Sequence, residues 1–269
     1  MALRMAEHVA TSFDALRVEP TPVHLRATLD GTPALDTREA LLVWEPGRVV
    51  PQYAVPVADV RAELVPGGDG DRHGPGAQPL GPGGRTVLTP DTGFGVHTTD
   101  GEPLTIRLDG RERAGAAFRP ADPDLAGYVV VDFPALEWTE EDAPVVGHPR
   151  DPFHRVDARP SHRHVRISLD GRTLAESRRP LLVTETWLPV RWYLPQDDVT
   201  GLTGSDTVTE CAYKGVARYL AVGGRDVAWY YPDPLPGMEA LAGLVSFFTE
   251  HVDVTLDGVD VTRPISPWT

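Results

Sequence analysis

The sequence predicts a mainly β fold of the β-rich α+β class, built from two tandem antiparallel sheet units that each carry a packed helix. Three observations lead to this prediction. The chain of 269 residues contains 27 prolines and 26 glycines, which favours many short elements joined by turns. Apolar and polar residues alternate along several segments of its second half, as they do in strands. Short motifs also recur along the chain, which is typical of a duplicated unit.

The repeats become visible when the chain is shifted against itself by 140 residues. The matching positions are LDG at 29–31 with LDG at 169–171, LLV at 41–43 with LLV at 181–183, Glu45 with Glu185, and Tyr53 with Tyr193. We therefore expect a first copy over residues 1–147, a linker over 148–163 and a second copy over 164–269. A Gly/Pro-rich loop at 66–84 interrupts the first copy and is expected to be mobile.

The second copy divides readily into predicted elements. The strands are expected at 164–170, 172–177, 181–187, 190–194, 207–211, 215–222, 226–231 and 252–258. Gly223 and Gly224 predict a tight hairpin turn. A helix is expected from Met238 to Glu250, because its small or polar residues fall on one stripe and apolar residues fill the rest.

Composition excludes several classes of function. The net charge of −14 disfavours nucleic acid and anionic membranes as partners. The first twenty residues carry charged side chains that include Arg4, Glu7, Asp14 and Arg17, and they have no apolar core, which argues against a signal peptide. The one cysteine, Cys211, permits no internal disulfide and no Cys-based zinc site. We expect a soluble cytoplasmic protein with no cofactor and no metal.

Lysine is the rarest basic residue in this chain. Of the 25 basic residues, 24 are arginine and one, Lys214, is lysine. A lysine amine can lose its proton or form a Schiff base, whereas a guanidinium can do neither. Lys214 is therefore a candidate catalytic residue, although a genome that favours arginine codons would also leave a single lysine by chance.

Four motifs in the second copy carry a resemblance. They are RRPLLVTETWLPVRWYLPQDDV at 178–199, TECAYKGVARYLAV at 209–222, AWYYPDPLP at 228–236 and LAGLVSFFTEHVDVTLDG at 241–258. Together they resemble the family catalogued as domain of unknown function 427, and HPRDPFHRVD at 148–157 is similar to the linker of its two-copy members. This chain has Ala212 where the family's usual CPYKG has proline.

The resemblance implies a compact β-rich fold similar to the Mss4 and methionine sulfoxide reductase type B architecture, without zinc-binding cysteine pairs. It implies no reaction. The family carries a nucleotidyltransferase label, but the sequence has no Gly-rich phosphate loop to support it.

The candidate site lies on three predicted strands of the second copy. Residues two apart in a strand share a face, so the candidate side chains can converge on one sheet face. Lys214 would be the general base or amine nucleophile after burial lowers its pKa, and Glu185 would orient it or carry the proton. Arg191 would clamp a carboxylate or phosphate. The surrounding binding residues are expected to be Tyr193, Tyr219, Trp187 and Trp229.

Other interpretations of these residues stay open. Glu185 and Arg191 would also serve as a structural ion pair with Lys214 in solvent. Cys211 is either a nucleophile beside Lys214 or a small buried apolar residue. The histidines of residues 148–164 alternate with arginines, which favours a polar linker over a metal site.

We therefore expect an enzyme that acts on an organic anion or a carbonyl-bearing metabolite, with its site in the second copy. The alternative is a non-catalytic module that binds a metabolite or a protein. The first copy has Pro51 at the position of Arg191 and keeps only Glu45 and Tyr53, so it is expected to be a scaffold, a lid or a dimer surface. A homo-oligomer is compatible with either function.

Overall fold

The computed structural model describes residues 2–74, 76–80 and 85–268. The chain is β-rich, with 48% strand and 10% helix in several antiparallel sheets, which confirms the mainly β prediction. It divides into two compact units. The first unit comprises residues 1–78 and 86–151, and the second unit comprises residues 79–85 and 152–269.

The first unit begins with one short helix and continues as strands. The helix is α1 (Met5–Ala10). The strands are β1 (Arg17–Pro20), β2 (Leu25–Leu29), β3 (Thr32–Thr37), β4 (Leu41–Trp44), β5 (Gln52–Pro56), β6 (Glu63–Pro66), β7 (Gln78–Leu80), β8 (Arg85–Val87), β9 (Gly101–Leu108), β10 (Arg111–Pro120), β11 (Tyr128–Val131), β12 (Glu137–Glu140) and β13 (Ala143–Pro144). Single 3₁₀ turns occupy Thr11–Asp14, Val57–Asp59, Pro123–Leu125 and Phe133–Ala135. The boundaries between the two units at residues 78/79 and 85/86 fall within strands β7 and β8.

Two antiparallel sheets enclose the main core of the first unit. The larger sheet has seven strands in the order β1-β4-β5-β11-β10-β9-β6, and the smaller has the order β13-β12-β2-β3. Leu25, Leu42 and Ile106 belong to one apolar cluster, to which both sheets contribute. Val43 and Phe118 belong to a second cluster on the opposite face of the larger sheet, because neighbouring strand residues point to opposite faces. The larger sheet therefore buries apolar side chains on both faces.

The second unit consists of strands and single 3₁₀ turns in its described residues. The strands are β14 (Val156–Pro160), β15 (Val165–Leu169), β16 (Arg172–Ser177), β17 (Leu181–Glu185), β18 (Arg191–Pro195), β19 (Thr203–Cys211), β20 (Gly215–Val222), β21 (Arg225–Tyr230), β22 (Leu244–Phe247), β23 (Asp253–Leu256) and β24 (Val259–Val261). The 3₁₀ turns are Gln196–Asp198 and Glu239–Leu241.

In the described part of the second unit, strands β14 to β24 form two sheets. The larger has the order β14-β17-β18-β22-β21-β20-β19 and the smaller the order β16-β15-β23-β24. When β7 and β8 are left out, the strands of the first unit match β14 to β24 one by one in chain order. Matching strands then have the same neighbours in the two units. Val165, Trp192 and Phe247 belong to the core that both sheets line. Tyr193 and Trp229 belong to a cluster on the other face of the larger sheet, the outer face.

The helix predicted from Met238 to Glu250 is wrong. The chain forms a 3₁₀ turn at Glu239–Leu241, and Gly243 follows in the left-handed region with a φ of 71°. Leu244–Phe247 then forms β22, which lies between β18 and β21. A strand in the middle of a sheet that is covered on both faces is a continuous apolar run, and its pattern resembles that of a buried helix.

Part of the Gly/Pro-rich tract at 66–84 has defined backbone partners. The amide of Gly95 donates to the carbonyl of Asp71 at 2.6 Å, and that of Gly93 donates to the carbonyl of His73 at 2.9 Å. A Cβ on Gly93 would lie 2.4 Å from the Asp71 carbonyl oxygen, so this approach requires glycine. Residues 75 and 81–84 of the tract lie outside the described residues, and its mobility stays a prediction.

Candidate functional site

The predicted site residues of the second unit lie on or beside the outer face of the larger sheet. Val183 is part of the outer cluster, and Glu185 follows two residues later on the same strand. Arg191 and Tyr193 have the same relation on β18, and Lys214 lies in the turn between β19 and β20. The fold thus brings together side chains that lie far apart in the sequence, such as Glu185 and Lys214, which are separated by 29 positions, and Tyr193 and Trp229, which are separated by 36.

Glu185 is the centre of a buried cluster of ionisable groups, the Glu185 cluster, formed with Lys214 and His154. Its Oε2 forms an ion pair with the Lys214 Nζ, and its Oε1 lies 3.1 Å from the His154 Nε2. The side chains of Glu185 and Lys214 are each 8% exposed. An ionised carboxylate only accepts hydrogen bonds, so the His154 Nε2 carries the proton in this contact. One carboxylate therefore holds two basic side chains.

The pKa values of the pair favour its charged form. Burial alone would raise the pKa of Glu185, but the Lys214 ammonium and the hydrogen bond from His154 lower it to about 2. Burial alone would lower the pKa of Lys214, but the negative charge of Glu185 outweighs it and raises this pKa. A general base needs a lowered pKa, so Lys214 in this state is a protonated hydrogen-bond donor and not a base.

Aromatic side chains form the wall next to the Glu185 cluster. The Trp229 Nε1 donates to the Tyr193 hydroxyl at 3.2 Å, and the two rings meet edge to face. Burial raises the pKa of Tyr193 to about 12. Tyr231 is also buried, and its pKa is raised by burial and by the nearby Tyr193. These phenols are therefore neutral, and they contribute dipoles and apolar surface to the site.

The Arg191 guanidinium has partners within its own unit. It forms a bidentate ion pair with Glu250, with both N···O distances at 2.7 Å, and donates to the Thr249 Oγ1 at 2.7 Å. It also lies over the rings of Trp229 and Trp268, at 5.4 and 5.5 Å. An anion clamp needs two N–H groups directed at the ligand, and here Glu250 occupies that position.

The remaining predicted residues lie at the edge of this arrangement. Cys211 is partly buried at the end of β19, and its charge interaction with Lys214 contributes to the raised pKa of the lysine. The Tyr219 hydroxyl lies 3.0 Å from the Thr209 Oγ1. Trp187 is in the turn after β17 with a φ of 70°, a conformation that is strained for a residue with a side chain.

Sequence reasoning missed two of the residues in contact with the predicted ones. His154 was assigned to a polar linker, yet it binds Glu185 and stacks on Tyr213 with 4.2 Å between ring centres. Glu250 was assigned to the stripe of a helix. The motif at 148–157 was the only signal for His154, and nothing local indicated that Glu250 meets a residue 59 positions earlier.

The first unit has its own buried glutamate, in the position that matches Glu185. Glu45 accepts hydrogen bonds from the Thr99 Oγ1 at 2.6 Å and from the His97 Nδ1 at 3.2 Å, and the Arg48 Nε lies 3.4 Å away. Burial alone would raise the pKa of Glu45, but these partners lower it. The Tyr53 hydroxyl donates to Glu140 at 2.6 Å. The first unit thus contains a buried group of ionisable residues that the sequence comparison did not predict.

The fold and the site together define a β-rich unit with a cluster of ionisable groups on one face of its larger sheet. A family model described as a domain of unknown function (DUF427) matches residues 157–258. The second unit is therefore similar to this family over those residues, and the resemblance seen in the motifs is confirmed.

No curated protein matches the chain. Among the described residues, no helix is long and apolar enough to cross a membrane. Within the same residues, no group of three or more His, Cys, Asp or Glu side chains could hold a metal ion.

Proposed function

We propose that the second unit is the working part of an enzyme that acts on an organic anion or a carbonyl-bearing metabolite at the Glu185 cluster. The observation that carries the proposal is a buried carboxylate shared by Lys214 and His154. Replacing a buried ion pair by apolar residues is often neutral or stabilising, so such a pair is weak evidence for a structural role. Perturbed pKa values of this kind concentrate at functional sites.

In this proposal, Lys214 stays protonated and acts as a hydrogen-bond donor. Its ammonium group carries three N–H donors, of which Glu185 takes one. The others stabilise negative charge that develops on a carbonyl or carboxylate oxygen of the substrate. This role replaces the general base expected from the sequence, because the pKa of Lys214 is raised.

His154 supplies the proton acceptor in this scheme. Glu185 fixes the orientation of its ring through Nε2, as carboxylates do for histidine bases. Arg191 holds Trp229 and Glu250 in place, and its guanidinium positions the aromatic wall.

A non-catalytic binding module is the second candidate, and one observation favours it. The charges of Lys214 and Arg191 are both matched by carboxylates of the same unit, Glu185 and Glu250. Cations that are neutralised within their own unit suit a rigid surface that binds a metabolite or a protein and catalyses no reaction.

The test begins with native mass spectrometry of the full chain purified from its own cell extract, to find a bound metabolite. Binding and turnover of that metabolite are then compared for the wild type, Lys214→Arg and His154→Gln.

We expect Lys214→Arg to weaken binding at least about tenfold, since the guanidinium cannot fit the compact ammonium site. His154→Gln should abolish turnover but leave binding largely intact. The binding module predicts no turnover in any variant. Arg166→Lys, an exposed change on β15, is the matched control.

Titration of the single lysine gives an independent measurement. NMR of lysine-labelled protein should show no deprotonation of Lys214 below its ordinary pKa of about 10.4. Deprotonation at a lower pH would contradict the role as a protonated hydrogen-bond donor and restore the role as a base.

We further propose three finer features of the protein. The two units are copies of one repeat, which their shared strand order supports. Each unit is similar to the Mss4 and methionine sulfoxide reductase type B architecture, which the pair of antiparallel sheets supports. The protein works in the cytoplasm, a reducing compartment that suits its unpaired Cys211.

A further inference from the structure

A cavity of about 360 Å³ lies in the first unit, beside its buried glutamate. This volume is within the range of small-molecule sites. Much of the wall is glycine backbone. A Cβ on Gly70 would lie 2.8 Å from the Gly115 oxygen, and a Cβ on Gly95 would lie 2.6 Å from the Gly70 oxygen. The wall therefore presents peptide groups at a distance that only glycine permits.

His97 is the titratable ring that lines this cavity. Its Nδ1 is directed at Glu45, whose pKa is lowered, so Nδ1 carries a proton and donates to an ionised carboxylate. In the neutral imidazole, Nε2 is then a hydrogen-bond acceptor. The ring stacks on Phe118 with 3.6 Å between centres and meets Phe94 edge to face. These contacts hold the ring in one orientation, as a preformed site requires.

The remaining lining supplies one charge of each sign and an apolar surface. Arg72 and Asp100 both line the cavity and are exposed, so they can meet a ligand without breaking a buried pair. Val96, Pro103 and Phe118 provide the apolar surface. A guanidinium recognises a carboxylate, and a carboxylate or an imidazole nitrogen accepts from a hydroxyl or amino group.

We propose that this cavity binds a small hydroxy or amino acid with an apolar side chain. The ligand carboxylate pairs with Arg72, its hydroxyl or amino group donates to His97 or Asp100, and its side chain packs against Phe118. The first unit is then a binding unit in its own right, separate from the Glu185 cluster of the second unit.

In the test, the full chain is titrated with mandelate, phenylalanine and phenylacetate. Calorimetry and the NMR amide signals of Gly95 and Gly101 detect the binding. Mandelate or phenylalanine should bind saturably, and phenylacetate, which lacks the donor, should bind at least about tenfold more weakly. A preference for mandelate assigns the donor contact to His97, and a preference for phenylalanine assigns it to Asp100. Equal binding of all three acids, or no saturable binding below about 10 mM, overturns the proposal.

Variants locate the binding. Arg72→Gln should weaken binding about tenfold and leave the fold intact, because this side chain is exposed. Arg107→Gln, which removes an exposed partner of Glu112, is the matched control and should bind as the wild type does. Lys214→Arg should also leave this binding unchanged. Loss of binding in Lys214→Arg, or full binding in Arg72→Gln, overturns the assignment to the first unit, whatever the outcome for the Glu185 cluster.

Discussion

Each unit buries one glutamate at the end of the corresponding strand, but the two glutamates have different partners. Glu185 meets the ammonium of Lys214 and the ring of His154, and its pKa is lowered to about 2. Glu45 meets the Arg48 guanidinium, the Thr99 hydroxyl and the Nδ1 of the His97 ring. The strand fixes where the carboxylate is buried, and the loops around it determine which group neutralises it.

The difference extends to the neighbouring strand. In the second unit, Arg191 on β18 is paired with Glu250. In the first unit, Pro51 stands at the matching position, and the nearby Tyr53 donates to Glu140. The second unit thus has a second buried ion pair at a position where the first unit has an uncharged proline, so the same framework tolerates two distributions of charge.

The largest expected effect comes from removing the counter-charge of Glu185. Lys214→Met should lower the free energy of unfolding of the second unit by about 3–5 kcal/mol, because a carboxylate is left buried without its cation. Calorimetry, with hydrogen exchange to assign the unit, measures the loss. The double variant with Glu185→Gln should recover most of it, since the buried charge is gone. A loss below about 1 kcal/mol would show that water reaches Glu185.

Acid should destabilise the second unit through the same carboxylate. The pKa of Glu185 is lowered from 4.5 to about 2 in the folded chain. Its contribution to stability is therefore present above pH 4.5 and is lost as the pH falls towards 2. The loss should be on the order of 3 kcal/mol. Unfolding measured across this range, with Glu185→Gln as the control that lacks the slope, tests the prediction.

The first unit should respond to pH in the opposite direction through Asp132. Burial and the nearby Asp71 raise the pKa of Asp132 from 3.8 to about 6. Its contribution is therefore fully present below pH 3.8 and is lost as the pH rises through 6, by on the order of 2 kcal/mol after allowance for partial exposure. Asp132→Asn should remove this slope and stabilise the unit at neutral pH. An unchanged slope in that variant would assign the effect to another group.

Removing Arg48 should lower the free energy of unfolding by less than removing Lys214 does. In Arg48→Met, Glu45 keeps its hydrogen bonds from His97 and Thr99, so we expect a loss of about 2 kcal/mol. Arg48 also donates to the Val96 carbonyl at 2.6 Å, so exchange should become faster in the loop at 93–96. If Arg48→Met lowers the free energy of unfolding as much as Lys214→Met does, the two glutamates depend equally on their cations.

The smallest effect is expected for Thr99→Val. This change removes one hydrogen bond to Glu45 and keeps the shape of the side chain. The free energy of unfolding should fall by about 1 kcal/mol. Thermal unfolding of this variant is compared with that of Thr98→Val. The Thr98 hydroxyl donates to the Pro46 carbonyl in an exposed hydrogen bond, so its loss provides the control.

Most strands of the second unit follow from its sequence, because alternating residues mark strands with one polar face. The predicted segment 215–222 coincides with β20, and Gly223 and Gly224 adopt the positive φ of the predicted turn. The alternation fails for β22, whose residues are buried on both sides and therefore resemble a helix.

The candidate site was predictable only in part, for a similar reason. Lys214 and Glu185 stood out by residue type and by strand spacing, which the sequence displays directly. His154 and Glu250 reach the site through the order of strands in the sheet, and no local pattern encodes that order. The same limit applies to His97, which lies 52 residues from Glu45.

The burial of Lys214 gives this protein a built-in proteolytic reporter. An endoproteinase that cuts only after lysine has one target in the whole chain, and that side chain is 8% exposed in an ion pair. The folded protein should resist such an enzyme, and every cut must follow an opening of the turn between β19 and β20. The rate of that one cleavage therefore reports how often the second unit opens, without any label or engineered site.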